Sequence, residues 1–265
     1  MKQRVAKLIC HIVVCAIIAT LLFSLLSCDR NIGNENTDKA NIIYSVDESS
    51  PYEEIISEIL PSHSFKKEER INSLFSYLNE GFAVEAFDVQ AFSAAEAGVA
   101  SKWYPQYLAT VVIAVDRNLT DVKIGGWIDL LGVKEDVALF YEQPYTQLIM
   151  SAISYGLEGE NYSLDSAVSL LRGLQYKERL QLSTLTAPLV ICFDYQAAAM
   201  LRNGRNMEIL VPQEGTLSFE KGILSKEELS FRADVEPVML TAGLVLPNGD
   251  YDSKYYPKAD YTSAF

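Results

Sequence analysis

Apolar and polar positions change their period several times along this chain, and each change predicts an element. Residues 8–26 carry no formal charge and are mostly Ile, Val, Leu and Ala. Residues 29–40 are polar and unpatterned, which predicts a tether. A first strand is expected over residues 41–44. Ser50-Pro51-Tyr52-Glu53 has a capping-box outline with proline at the first helical position, so a helix should start there. Ile71, Leu74, Phe75 and Leu78 recur at i, i+3, i+4 and i+7 ahead of Gly81, as in an amphipathic helix and its stop. Phe82, Val84 and Ala86 alternate with their neighbours, as a strand running toward Asp88 and Ser93 would.

Residues 109–115 are rich in β-branched side chains and apolar on both faces. A strand in a sheet covered on both sides reads this way. Further strands are expected near residues 138–141, 189–193 and 208–211. One helix should begin about Pro144 and present Leu148, Ile149, Ala152 and Ile153 on one face. Another should follow Ser163 and present Leu164, Val168 and Leu171. A third should run over residues 195–202 with Asp194 as its N-cap and Gly204 as its stop. Strands and helices in alternation predict an α/β protein with a mostly parallel sheet. No internal repeat is apparent.

The N-terminus adds a compartment. Lys2, Arg4 and Lys7 precede the apolar run, which closes on Leu25-Leu26-Ser27-Cys28. A secretory signal has this order of parts, and the terminal cysteine resembles the bacterial lipoprotein signal, in which that residue is acylated. Residues 1–27 are then a removed signal peptide, Cys28 carries acyl chains such as palmitate, and residues 28–40 are the tether. Each buried CH₂ contributes about 0.8 kcal/mol to such anchoring. The alternative is an uncleaved transmembrane anchor, for which the apolar run is just long enough. Both readings put the remainder at the outer face of a cell membrane.

Charge and cysteine usage then narrow the function. The 265 residues carry a net charge of −13, which grows more negative once the basic head is removed. That argues against nucleic acid or an anionic lipid surface as partner. With Cys10 and Cys15 in the signal and Cys28 as anchor, Cys192 is left alone, and no disulfide is expected within the mature chain. Its apolar surroundings predict a buried, inert thiol. Of two histidines, His11 goes with the signal, and His63 by itself cannot complete the common triads or a His-rich zinc site. Carboxylate-only chemistry stays open, but no pair stands out by spacing. The expectation is therefore no enzyme, no catalytic residues, no metal and no cofactor.

Candidate binding residues lie at strand ends, where open α/β sheets take ligands and helix N-termini point free N–H groups. Three such ends are Tyr44-Ser45-Val46-Asp47-Glu48, the stretch from Glu142 through Tyr145 to Gln147, and Phe193-Asp194-Tyr195-Gln196. Rings beside polar caps suit a small polar ligand. Capping and core packing also account for Asp194 and Phe193. Gly125-Gly126 reads as a turn, and Tyr251, Tyr255, Tyr256 and Tyr261 as packing or an interface.

Taken in order, several segments resemble the extracellular solute-binding proteins of ABC importers, the type II periplasmic binding proteins, and especially their spermidine/putrescine-binding group. Ile191-Cys192-Phe193-Asp194 is similar to that group's "IWNG" strand end, and residues 209–215 to its "VVWPKEGG". Residues 109–115 followed by residues 126–131 are similar to its "ATAIGVN…SWADLW". Tyr44-Ser45-Val46-Asp47-Glu48 stands where the group has "YNWTE", and Phe87-Asp88-Val89 to Ser93 where it has "YDLVVPS".

The resemblance implies two α/β lobes joined by crossing strands near residues 111–115 and 208–211. Lobe 1 would comprise residues 41–115 and 208–265, and lobe 2 residues 116–207, with a ligand held between them. It implies aromatic walls at Phe193 and Phe219, a shared serine at Ser93, and Asp47 and Val46 in place of a threonine and a tryptophan. Lys221 stands where polyamine binders carry an aspartate, and Gln147 near where they carry a glutamate. An ammonium ligand would lose its partners there and meet a like charge, so the implied solute is anionic or neutral rather than a polyamine. The ligand set is thus Asp47, Ser93, Tyr145, Gln147, Phe193, Asp194, Phe219 and Lys221. The implied partners are a small solute, an ABC permease and the membrane through the lipid anchor, with no nucleic acid. Between Ser93 and Trp103 only a short stretch intervenes where the group has a longer helical one, so the first lobe is reduced. The alternative is a degenerate or truncated binding-protein-like lipoprotein that acts as a sensor or interaction module without transport.

Overall fold

The computed structural model describes residues 42–68, 74–140, 144–182, 186–235 and 238. The signal segment, Cys28, the tether, Ile71, Glu142, Gln143 and the tyrosine-rich tail lie outside these residues.

The described elements are β1 (Ile42–Ser45), α1 (Tyr52–Ile59), β2 (Ser64–Lys67), α2 (Leu74–Asn79), β3 (Ala83–Phe87), α3 (Asp88–Glu96) and β4 (Lys102–Asp116). They continue through a 3-10 turn (Ile128–Leu131), β5 (Val137–Leu139), α4 (Tyr145–Glu158), α5 (Asp165–Tyr176) and β6 (Leu180–Leu182). The chain then runs through β7 (Leu189–Phe193), α6 (Asp194–Arg202), β8 (Met207–Leu210) and β9 (Ser218–Ser225). The α/β class and nearly all the expected strands and helices are present. Three strands were not expected: β2, β6 and β9. On α5 the buried face is Ala167, Leu170 and Leu174, while Leu164 is exposed, so the stripe is rotated from the expected one.

The hydrogen-bonded strand order is β2-β1-β3-β9-β4-β7-β5-β6, and β8 also pairs with β4. The pairs β1–β2, β1–β3, β5–β6 and β5–β7 are parallel. Every antiparallel pairing involves β4 or β9. The long strand β4 therefore joins two parallel groups. Its first part, Lys102 to Thr110, pairs with β9. Its second part, Val111 to Asp116, lies between β7 and β8. Residues 107–116 are all buried. Val111, Ile113 and Val115 enter one apolar cluster, and Val112 and Ala114 another, as expected for a strand covered on both faces.

Close approaches fix this frame. The β4–β9 register shifts between Pro105 and Tyr107, and Gly222 faces Pro105 there. A side chain at Gly222 would run into the Tyr104 carbonyl. Gly125 and Gly126 form a turn whose lack of side chains admits Gln213 and Glu214. The Glu214 carboxylate accepts the backbone N–H groups of Trp127 and Ile128, both at 3.1 Å, and Trp127 Nε1 donates to the Gly215 carbonyl at 2.9 Å. Two segments far apart in sequence, 126–131 and 209–215, are thereby joined at the start of the 3-10 turn. Among the described residues no helix is long and apolar enough to cross a membrane.

Candidate functional site

The C-terminal ends of β1, β3 and β7 converge where β4 passes from β9 to β7. At that switch, Val111 N donates to the Leu217 carbonyl at 3.1 Å and Thr216 Oγ1 donates to the Val111 carbonyl at 2.6 Å. The Thr110 hydroxyl meets that of Ser218 at 2.7 Å. The Thr110 N–H is taken by Asp194 Oδ1 at 3.1 Å, which also accepts Tyr195 N at 2.8 Å. The N-cap of α6 is Phe193 rather than the expected Asp194, which is the first helical residue and, through Thr110, a fixed point on the crossing strand.

A buried charged cluster sits at this convergence. Lys221 projects from β9, is 2 % exposed, and its ammonium pairs with Asp47 Oδ2 and, at 3.3 Å, with Glu85 Oε1. It also donates to the Tyr195 hydroxyl at 3.0 Å, and that hydroxyl donates in turn to Asp47 Oδ2. Glu85, in the middle of β3, accepts the hydroxyls of Ser45, Ser50 (2.9 Å) and Tyr107 (3.1 Å). Asp47 is held by its own loop: Asp47 N donates to Ser45 Oγ at 3.0 Å, and Ser49 N to Asp47 Oδ1 at 2.9 Å. Ser50 begins the turn into α1, where its oxygen accepts Tyr52 N at 3.3 Å.

Aromatic rings enclose the ammonium. It lies 4.2 Å from the Tyr195 ring centre, 5.2 Å from that of Phe87 and 5.9 Å from that of Tyr145. Phe87 packs on Phe193 at 5.1 Å and edge-on to Tyr145 at 5.6 Å. Phe219 closes the group at 6.3 Å from Phe193 and 6.5 Å from Phe87. Such pairs each add about 0.5–1.5 kcal/mol beyond area burial.

The electrostatics follow from this burial. Desolvation raises the Glu85 carboxyl above its ordinary value, Lys221 opposes that rise, and the charge of Asp47 adds to it. Desolvation likewise raises Tyr107 and Tyr195 well above the usual phenol value. They remain hydroxyl donors. The Cys192 thiol is pushed up by burial, with Asp194 adding, and is buried in β7 as expected for an inert thiol. Among the described residues no group of three or more His, Cys, Asp or Glu side chains is placed to hold a metal ion.

Of the expected ligand residues, the fold gathers Asp47, Tyr145, Phe193, Phe219 and Lys221 into one cluster, with Asp194 beside it. Ser93 and Gln147 are exposed. Ser93 Oγ donates to the Val89 carbonyl within α3, and Gln147 occupies the outward face of α4. Lys221 does not offer an unpaired cation to an anion, since two carboxylates flank it. Sequence reasoning missed Glu85, Phe87 and Tyr107 as members of the cluster, and named Tyr195 at a candidate strand end without carrying it into the ligand set. A glutamate inside the apolar run Phe82-Ala83-Val84-Glu85-Ala86-Phe87 is the signal that could have found the cluster, because a buried carboxylate requires partners.

No family model matches the chain, and no curated protein matches it. Solved structures do. The chain is similar to the spermidine/putrescine ABC transporter substrate-binding protein PotD from Streptococcus pneumoniae. The identity is 12%, with 84% of this chain and 91% of that chain covered and a TM-score of 0.52. It is similar to the iron-bound HitA from Pseudomonas aeruginosa at 12% identity, over 83% and 89% of the two chains, with a TM-score of 0.55. It is also similar to the periplasmic binding protein MotA from A. tumefaciens in complex with glucopine, at 12% identity, over 75% and 76%, with a TM-score of 0.55. The chain therefore has the fold of the type II periplasmic binding proteins, as its ordered segments led one to expect.

Proposed function

We propose that this protein is a solute-binding protein of the ABC-importer kind, anchored at the outer face of a cell membrane through acylated Cys28. Residues 41–115 and 208–265 would make one lobe and residues 116–207 the other. The observation that carries this reading is the convergence of β1, β3, β7 and β9 at the β4 switch, which puts Asp47, Phe193, Phe219 and Lys221 in one buried cluster. Ligands of open α/β sheets bind at such strand ends. The chemistry there is recognition, by rings and fixed hydrogen bonds, rather than catalysis. The solute is small and is not a polyamine, because an ammonium group already occupies the space between Asp47, Glu85 and the rings. Its partner in transport is a permease.

Thermal unfolding of the full-length chain in detergent, against a panel of small neutral and anionic solutes, tests the reading. A solute that binds the native state raises stability by RT ln(1 + [L]/Kd). One or more such rises are expected, and a flat response across the panel overturns transport. Metabolic labelling with palmitate tests the anchor: label should enter the chain and be lost in Cys28→Ser.

One observation favours a second reading. The cluster at the strand ends is packed with the chain's own side chains, Phe87, Phe193 and Lys221 all being fully buried. A sensor or interaction module that no longer transports would keep such a closed form. Capture of a permease from membranes separates transport from this alternative.

A further inference from the structure

Lys221 is a lysine ammonium buried in the place where the fold's strand ends meet. Two carboxylates, Asp47 and Glu85, face it, with the Tyr195 hydroxyl as a third acceptor. Three ring faces, Tyr195, Phe87 and Tyr145, lie within 4.2–5.9 Å. Carboxylates together with aromatic faces are the chemistry that recognises a primary ammonium group, because each counters part of the lost hydration. The contributors come from both parallel groups of strands. Asp47 follows β1, and Glu85 and Phe87 sit on β3. Tyr195 opens α6 after β7, and Tyr145 opens α4. The Tyr195–Asp47 hydrogen bond joins residues 148 apart in sequence.

We propose that Asp47, Glu85, Phe87, Tyr145 and Tyr195 form a binding box for a primary alkylammonium group, and that its resident occupant is the chain's own Lys221. Lys221 acts as an internal ligand that ties the β1–β3 group to the β7 group. It excludes free amines from the cluster, since a tethered ammonium competes at a high effective concentration. Removal of the lysine stem beyond Cβ exposes a box that accepts a small amine in its place. The inference rests on reading this cluster as a solute site.

The test uses full-length Lys221→Ala in detergent, with propylammonium chloride as probe. Propanol and sodium chloride at matched concentration serve as controls. The amine should raise the unfolding temperature of Lys221→Ala by about 2–4 °C once it reaches roughly four times its dissociation constant. Propanol should not, and the wild type should not respond to the amine. Equal responses to amine and propanol, or an equal response of the wild type, overturn the proposal. Should Lys221→Ala fail to fold, reductive methylation of the native wild type decides. Lys66 and Lys102, both exposed, should be dimethylated while Lys221 stays unmodified. Modification of Lys221 at the rate of Lys66 overturns the internal-ligand role. Neither outcome bears on the solute panel, so solute capture stands or falls by its own result.

Discussion

Two strand-to-helix junctions in this molecule share three of four residues, Phe-Asp-x-Gln. Phe87-Asp88-Val89-Gln90 leads from β3 into α3, and Phe193-Asp194-Tyr195-Gln196 leads from β7 into α6. In both, the phenylalanine is the last strand residue and is fully buried. In both, the glutamine side chain reaches back to accept the phenylalanine N–H, at 3.0 Å in each case, as the third residue of a capping box does. The backbone problem is solved identically. The surroundings differ. Asp88 is half-buried and accepts the next N–H, Val89, at 2.7 Å, whereas Asp194 is buried and also holds Thr110 of the crossing strand. Val89 is 42 % exposed, while Tyr195 is 2 % exposed with its hydroxyl on Asp47 and Lys221. Local sequence makes the turn; the strand packed against it decides whether the turn joins the buried cluster.

The largest effects should come from the charged cluster that only the second junction touches. Asp47→Ala leaves the Lys221 ammonium with one carboxylate fewer in a dry setting and should cost about 3–5 kcal/mol. Lys221→Met conserves volume but leaves both Asp47 and Glu85 buried without a cation, and should cost at least as much as Asp47→Ala. Urea unfolding of the three proteins checks the order, and a smaller loss in Lys221→Met would mean the pair is screened by water. Next comes the direct comparison of the aspartates. Asp194→Ala strands the Thr110 N–H inside the sheet switch, a penalty of about 1–3 kcal/mol. Asp88→Ala removes a half-exposed cap and should cost about 1 kcal/mol or less. If the two losses match, Thr110 is not held by Asp194 in solution.

Acid–base behaviour sharpens the same contrast. Burial raises the Glu85 carboxyl, so the folded state binds this proton more tightly than the unfolded chain. Its favourable contribution is complete below the ordinary carboxylate value and is lost as pH rises through the raised one. Glu135, Glu158 and Asp234 are held low by hydrogen bonds and act in the opposite sense. The informative quantity is therefore the difference between wild type and Glu85→Gln. Wild-type urea midpoints should fall relative to the variant as pH rises above the ordinary carboxylate range, and parallel profiles would place Glu85 in water.

Much of this fold was legible because its strands are apolar runs between capped helices. β4 and β7 are β-branched stretches that could scarcely be anything but interior strands, and Gly204 marks the end of α6, although its start signal was read one residue late, at Asp194 instead of Phe193. β9 was not legible. Ser218-Phe219-Glu220-Lys221-Gly222-Ile223-Leu224-Ser225 has a polar face, an adjacent charge pair and a glycine, which argue against a central strand. It is nonetheless buried along its whole length. The reason is tertiary: Asp47 and Glu85, far away in sequence, neutralise Lys221, and Gly222 is required by the close pass of Tyr104. Short β2 and β6 were missed for another reason: they lie at the two ends of the strand order and contain no buried residue, so neither carries an apolar run of the kind that marks β1 or β5. The buried cluster was legible only in part: Asp47, Tyr145, Phe193, Phe219 and Lys221 were named, while Glu85, Phe87 and Tyr107 were not, and Ser93 and Gln147 lie outside it. Lys221 was read as a cation offered to a solute, and no local pattern reveals that it is already paired.

The smallest expected difference isolates the third position of the shared junction. Tyr195→Phe keeps the ring over Lys221 and the packing on Phe193, at 5.8 Å, while removing one hydroxyl. Asp47 then loses a donor and Lys221 an acceptor, yet their ion pair survives, so the loss should be about 1–2 kcal/mol. Val89→Thr, at the matching position, is exposed and near-isosteric and should lie within about 0.5 kcal/mol of wild type. A double-mutant cycle of Tyr195→Phe with Asp47→Asn measures the coupling directly. A coupling near zero would mean that the hydroxyl bonds water rather than Asp47. The second junction would then differ from the first only in burial, and its tyrosine would be a packing residue like the phenylalanine before it.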